Sequence, residues 1–284
     1  MDILPFLFWP FVASLILAGI HAYLGVHVVE RGVIFVDLSL AQIAALGAVI
    51  AILLPFGGHD VHSGWGYWLS LTFTFIGAAI FSTVKVRRAR IPQEAIIGIS
   101  YAVASAASIL AMSKATSESE HLKDMLVGNI LAVSWPEVLH TAALYAAVGL
   151  FHFLFRSKFL AISIDHDKAE AQGINVRFWD FLFYASFGFV VTSSVSIAGV
   201  LLVFCYLIVP SVAAMLYAER IGARLAIGWT MGTVVSALGI FLSVRLDLPT
   251  GATMVCTFGL ILILMALFRP LLRNGSRAVA PVAL

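Results

Sequence analysis

The stretch SIDHDKAEAQGINVRFWD, Ser163–Asp180, gathers acids, bases and amides inside a chain that is otherwise almost uniformly apolar. Its spacing predicts a short helix. Asp167 stands as the N-cap, Glu170 follows three residues later in a capping-box arrangement, and Gly173 supplies the stop. A helix barely longer than one turn does not hold in water by itself, so it must lie against something. Two readings follow. One is a solvated loop between two membrane spans; the other is a short amphipathic peg gripped by a soluble partner. The apolar sequence on either side sets the frame for both.

Of the 284 residues, 61% are hydrophobic and 11% are charged. Soluble domains carry roughly 25% charged residues. The mean hydropathy of +1.02 excludes an ordinary soluble fold. Apolar runs long enough to cross a bilayer recur along the whole length, which predicts an all-α, multi-pass membrane protein. The formal net charge of +2 says little about partners, but the placement of the bases says more. Cys205 and Cys256 both lie in apolar runs and read as small core residues, with no disulfide or zinc-knuckle spacing. The opening MDILPFLFWPF lacks a basic leader region and reads as the start of a first span.

Spans are expected at about 3–29, 33–54, 67–84, 95–112, 137–155, 178–195, 200–218, then two more ending near 245 and 268. The loop KVRRARIPQE carries Lys85, Arg87, Arg88 and Arg90, the strongest positive-inside signal, and assigns its side to the cytosol. The loop PFGGHDVHSGWG has no Lys or Arg and falls outside. This gives eight to nine spans, with the N-terminus out and the C-terminus in. Residues 1–272 form one helical domain, residues 163–180 lie on the cytosolic side, and 273–284 read as a flexible cytosolic tail. Gly228 and Gly232 make a G-x-x-x-G, and Ala102, Ser105 and Ala106 share a face; both read as close helix packing.

The sequence contains no G-x-x-x-x-G-K-[ST], no H-E-x-x-H and no G-x-S-x-G. A basic, aromatic-rich nucleic-acid surface is also missing, so the lipid bilayer is the surrounding partner and nucleic acid is not. An enzyme is not indicated. Transport or scaffolding remains.

Five ordered blocks carry a resemblance over nearly the whole chain. They are EAIIGISYA from Glu94, DMLVGNILAVS (124–134), KAEAQGINV (168–176), GVLLVFCYLIVPSVAA (199–214) and SVRLDLPTGATMV (243–255). Together they resemble the permease subunit of ATP-binding-cassette importers for zinc, manganese and iron, of type II importer architecture. The resemblance implies a permease dimer, homomeric or heteromeric. It implies a cytosolic ATPase that holds the ATP and Mg, an extracytoplasmic binding protein that delivers metal, and no cofactor on this chain itself. It also implies a prokaryotic plasma-membrane location. The 163–180 loop then becomes the coupling helix, with Asp167, Lys168, Glu170, Ala171 and Gly173 facing the ATPase.

One block departs from the pattern. The family shows F-x-G-D-A-x-S-H in its second span, and this chain reads FVDLSLAQ, Phe35–Gln42. Asp37 comes one position early, which turns it about 100° around the helix. It either reaches the interface and pairs with Arg31, or serves as a pathway ligand. Gln42 replaces the histidine and either bonds a neighbouring helix or touches a passing ion. Asp247, in LDLPTG, is either a turn former before proline or a pathway acid at the outer mouth. His59, Asp60 and His62 in the outer loop offer two imidazoles and a carboxylate, suited to a metal-receiving site, or are polar surface. His21 and His27 face different sides of the first span and read as hydrogen-bonded core. Pro210 is expected to kink the seventh span.

The resulting expectation is a permease for a divalent transition metal, with zinc favoured by the two loop imidazoles and manganese or iron as alternatives. Three rival readings stand beside it. A permease for iron chelates or a small cofactor needs a wider, less acidic path. A secondary transporter needs a mid-span ionisable group for its coupling ion. A membrane scaffold needs neither.

Overall fold

The computed structural model describes residues 3–54, 64–84, 92–112 and 130–277. The helices are α1 (Ile3–Glu30), α2 (Val36–Leu53), α3 (Gly64–Val84), α4 (Gln93–Met112), α5 (Trp135–Leu154), α6 (Arg156–Ile164), α7 (His166–Ala171), α8 (Val176–Tyr217), α9 (Ile221–Leu246) and α10 (Thr250–Arg277). A short 3-10 turn, Ile130–Ala132, precedes α5. Eight of the helices are long and apolar enough to cross a membrane. Helix α10 runs to Arg277, past residue 272, where the sequence reading ended the domain. The Lys85–Arg90 cluster, the His59–His62 loop and all of DMLVGN, 124–129, lie outside the described residues.

Helix α8 is the centre of the bundle. It packs against α1, α2, α3, α9 and α10, and Phe183, Tyr184, Phe187, Val191 and Tyr206 are fully buried on it. Its 42 residues would measure about 63 Å if straight, twice a hydrocarbon core of roughly 30 Å. It does not run straight. Gly199 has φ 74° and ψ 159°, a conformation that side chains with a Cβ avoid. Ser194, before the break, bonds His21 of α1; Leu207 and Ser211, after it, press on Gly25 of the same helix. Positions 194 and 207 would lie about 19 Å apart in a straight helix, and positions 21 and 25 only about 6 Å. The chain therefore folds back at Gly199. α8a (176–198) runs against α1 and α8b (200–217) runs with it, so the eight helices hold nine crossings among the described residues.

The sequence reading gave the SSVSIAG stretch to a turn and the kink to Pro210. The structure keeps SSVSIA helical and concentrates the reversal in one residue. Proline removes a single backbone donor, and helical angles persist through Pro210. Glycine alone supplies the positive φ that turns the chain. Pro210 is buried where α8b meets Ala22 of α1 and Gly228 of α9.

Small residues set the crossings, as the G-x-x-x-G predicts. A Cβ added at Gly232 would stand 2.8 Å from Ala18 Cβ, and one at Gly228 would stand 3.3 Å from Ala22 Cβ. Gly25 is tighter still: a Cβ there would meet the Leu207 carbonyl oxygen at 2.0 Å. Gly25→Ala is therefore expected to destabilise the protein by about 1–3 kcal/mol, because backbone, not a flexible side chain, must yield. Gly19→Ala meets nothing within 4 Å and should be neutral. Thermal unfolding of the two variants in detergent compares them; equal melting temperatures would contradict this packing. Outward faces stay apolar, with Ile99, Leu110, Leu139, Leu150, Phe241 and Leu267 exposed. Such a belt suits lipid, where only the backbone must be satisfied internally.

Candidate functional site: a buried acid and a docking helix

The charged stretch folds as two short helices. Helix α6 continues from α5 through a bend at Phe155, and Asp165 then breaks it in an extended conformation. The cap of α7 is Asp165, not Asp167. Its carboxylate accepts from the Lys168 backbone N–H at 3.0 Å. Asp165 precedes Asp167 by two residues and offers the same side chain, so the helix starts earlier and Asp167 falls in its first turn, where an acid faces the positive end of the helix. Gly173 ends the helix as expected, at φ +79°. Gly173 N–H reaches the Glu170 carbonyl at 2.9 Å and Ile174 N–H reaches the Ala169 carbonyl at 3.2 Å. This is the full Schellman pattern, with Ile174 packed on the apolar side.

One residue anchors α7. Ala169 is buried against Ile162 and Val176, with Ile174 and Trp179 beside them. Asp167, Lys168, Glu170, Ala171 and Gly173 are all exposed. The helix thus rests on one apolar point and presents its polar face outward, the arrangement of a docking peg. His166, Asp167 and Glu170 also come close enough for their ligand atoms to lie within 4.8 Å of one another. His166 Nδ1 and Asp167 Oδ1 lie 3.8 Å apart, the histidine half-buried and the aspartate exposed.

Directly behind α7 lies a buried polar cluster that the sequence reading did not foresee. Arg31 Nη1 meets Asp180 Oδ1 at 2.5 Å, and Arg31 Nε donates to Ser163 Oγ at 2.9 Å. The guanidinium carbon sits 4.0 Å from the centre of the Phe183 ring. His27 Nδ1 and Ser163 Oγ share a hydrogen bond at 2.8 Å. His166 Nε2 approaches the other Asp180 oxygen to 4.0 Å. The only hint in the sequence was an arginine at the end of a span and an aspartate at the start of another. His21 and His27 do serve as hydrogen-bonded core, to Ser194 and Ser163.

Arg31 is thus committed to Asp180, which removes the pairing with Asp37 that the sequence left open. Asp37, in the first turn of α2, is 1% exposed, and neither carboxylate oxygen has a hydrogen-bond partner among the described residues. Ser39 Oγ is likewise buried without one. Burying an aspartate in a span without a partner is costly, and such groups are kept for a ligand or a partner. The turn that leads into α2 is pinned from the side: Phe35 N–H donates to Glu94 Oε1 at 3.0 Å. The second oxygen of Glu94 is buried and has no hydrogen-bond partner. Glu94 was legible only as the acid that opens the fourth span.

Gln42 is buried one and a half turns deeper in α2. Asp247 serves the turn: it takes the left-handed conformation that caps α9, with Leu248 N–H bonded to the Ser243 carbonyl at 3.0 Å. His59, Asp60 and His62 are outside the described residues.

A family model described as "ABC 3 transport family" matches residues 3–269. The manganese transport system membrane protein MntC of Listeria monocytogenes is 30% identical over 211 residues, covering 72% of this chain and 75% of that protein. The chelated iron transport system membrane protein YfeC of Yersinia pestis is 24% identical, covering 90% and 84%. Among solved structures, PsaBC from Streptococcus pneumoniae in complex with Fab shares the fold with a TM-score of 0.75 at 23% identity, covering 92% of this chain and 90% of that one.

Proposed function

The chain belongs to the ABC 3 transport family, the permeases of ATP-binding-cassette metal importers, and on that premise we propose that it passes manganese(II) or iron(II) inward across the prokaryotic plasma membrane. The observation that carries this reading is Asp37, a buried carboxylate with both oxygens unpartnered among the described residues. A dication supplies what those oxygens lack. The donors in its part of α2 are oxygens: the Asp37 carboxylate, the Ser39 hydroxyl and, deeper, the Gln42 amide. Hard oxygen donors suit manganese(II), while zinc prefers nitrogen and sulfur. Zinc rested on His59 and His62 in the outer loop. We place manganese ahead of it because the described donors are oxygens and because MntC is a manganese protein and YfeC a chelated-iron one.

The permease carries no ATP site, and a separate cytosolic ATPase with its ATP and Mg docks on α7 through Asp167, Lys168, Glu170, Ala171 and Gly173. An extracytoplasmic binding protein delivers the ion, and a second permease chain completes the core. Selectivity rests largely with the binding protein, since a pathway site must bind loosely enough to release. The test is purification of the tagged chain from its native membrane, followed by uptake assays on the complex in proteoliposomes. A co-purifying P-loop ATPase and ATP-dependent uptake of manganese(II) or iron(II) faster than zinc(II) at equal free concentration are expected. Absence of the ATPase would remove the import reading; faster zinc uptake would return the choice to the outer histidines.

A further inference from the structure

Arg31 stands between the two proposed sites, and its contacts reach both. On one side it holds the helices that carry α7. Ser163 is the penultimate residue of α6 and Asp180 lies in the first turn and a half of α8a; Arg31 bonds both, at 2.9 and 2.5 Å. Helix α7 is strung between these two helices, and its first residue, His166, approaches Asp180 itself to 4.0 Å. On the other side, Arg31 opens the turn that leads to Asp37, six residues along the chain. That turn is stiff. Gly32 sits at φ +66°, Val33 N–H bonds the Val28 carbonyl at 3.1 Å, and Phe35 N–H bonds Glu94 at 3.0 Å. The preceding residue, Glu30, pairs with Arg224 of α9.

We propose that Arg31 is the positioning residue that transmits movement of the docking helix to the buried Asp37. This inference rests on the importer reading above. The physical case is the continuity of the linkage through Arg31 Nε and Nη1, while Nη2 is buried with no partner among the described residues. The Arg31 side chain is fully buried and Asp180 nearly so. A buried pair of this kind is a poor way to gain stability, because desolvation offsets most of the attraction, but a good way to fix one register between elements. A push on α7 moves Ser163 and Asp180 together. The planar guanidinium, bonded to both and stacked on Phe183, cannot follow one without the other. It therefore carries the push into a turn with no slack, and α2 shifts with Asp37 on it. His27 shares the Ser163 hydroxyl and keeps it aimed at Arg31.

The test uses the assembled complex of permease, ATPase and binding protein in proteoliposomes. Manganese(II), iron(II) and zinc(II) are offered separately, and the ratio of ions imported to ATP hydrolysed is read for the ion the wild type moves fastest. Arg31→Lys keeps the charge but cannot reach both partners, and the ratio should fall at least about tenfold with ATPase still bound and hydrolysing. Ser163→Ala leaves the charge pair intact and should lower the ratio about two- to fivefold. It also decides the matter if Arg31→Lys fails to assemble. A residue of purely structural importance would lower assembly, hydrolysis and import together and leave the ratio unchanged. An unchanged ratio in assembled Ser163→Ala and Arg31→Lys complexes would overturn the linkage while leaving the importer reading intact. A wild-type chain that binds no ATPase would instead overturn the importer reading itself, and with it the linkage.

Discussion

Asp37→Asn is expected to cut metal import by about 100-fold or more while leaving the protein as stable as before, or more so. The two effects point in opposite directions for one reason. The carboxylate is 1% exposed and has no hydrogen-bond partner on either oxygen among the described residues. Without a cation it is a net cost to the fold, so an amide of the same shape relieves it. With a cation it is the charge that draws the ion into the bundle, and a hundredfold loss corresponds to about 2.7 kcal/mol of that attraction. A residue that served only packing would lose stability and import together. Melting temperature in detergent and ATP-dependent manganese(II) uptake in proteoliposomes separate the cases. Wild-type uptake by the asparagine variant, or a fall in stability matching the fall in uptake, would remove Asp37 from the path.

The architecture was legible because a bilayer leaves few choices. Every backbone group must be satisfied inside the segment, so an apolar run of the right length is a helix. The spans at 33–54, 95–112 and 137–155 match α2, α4 and α5 to within three residues at each end. The reversal at Gly199 was placed by length and misread in form. A turn spread over SSVSIAG was expected, and one glycine at positive φ makes the reversal instead. The cap of α7 slipped by two residues because DHD offers two equivalent aspartates, and local spacing does not rank them.

The site was legible only in parts. Single residues that are costly in a membrane stood out, which is how Asp37 and Gln42 were found. Pairings did not, since Arg31 and Asp180 lie 149 positions apart and nothing local joins them. The sequence offered Asp37 as the partner of Arg31 because it was near in the chain. The fold chose Asp180 because α8a runs back along α1. That single substitution of partners changes the reading of Asp37 from a paired surface acid to an unpaired buried one.

Helix α7, proposed as the ATPase docking site, gives the other large effect. Gly173→Pro is expected to leave the membrane domain folded and to abolish ATPase association, lowering co-purified ATPase by more than about tenfold. Three things fail at once. Proline holds φ near −65° where the chain needs +79°. It removes the N–H that reaches the Glu170 carbonyl at 2.9 Å. The Ile174 bond to Ala169 then has no turn to complete it, and Ala169 leaves the Ile162 and Val176 contact that is the buried anchor of α7. Strain of this kind costs about 1–3 kcal/mol, enough to melt six residues but not a bundle whose core lies elsewhere. Ala171→Arg tests the same surface without touching the backbone. Ala171 is exposed, so the arginine fits the permease and obstructs only what lies outside it. Both variants should keep the wild-type melting temperature to within a few degrees and lose the ATPase, whereas Gln172→Ala, which trims an exposed side chain and leaves the backbone N–H that caps α7 in place, should keep it. If Gly173→Pro and Ala171→Arg both retained wild-type amounts of ATPase, α7 would be a solvated connection between α6 and α8, and the ATPase would have to grip another part of the same end.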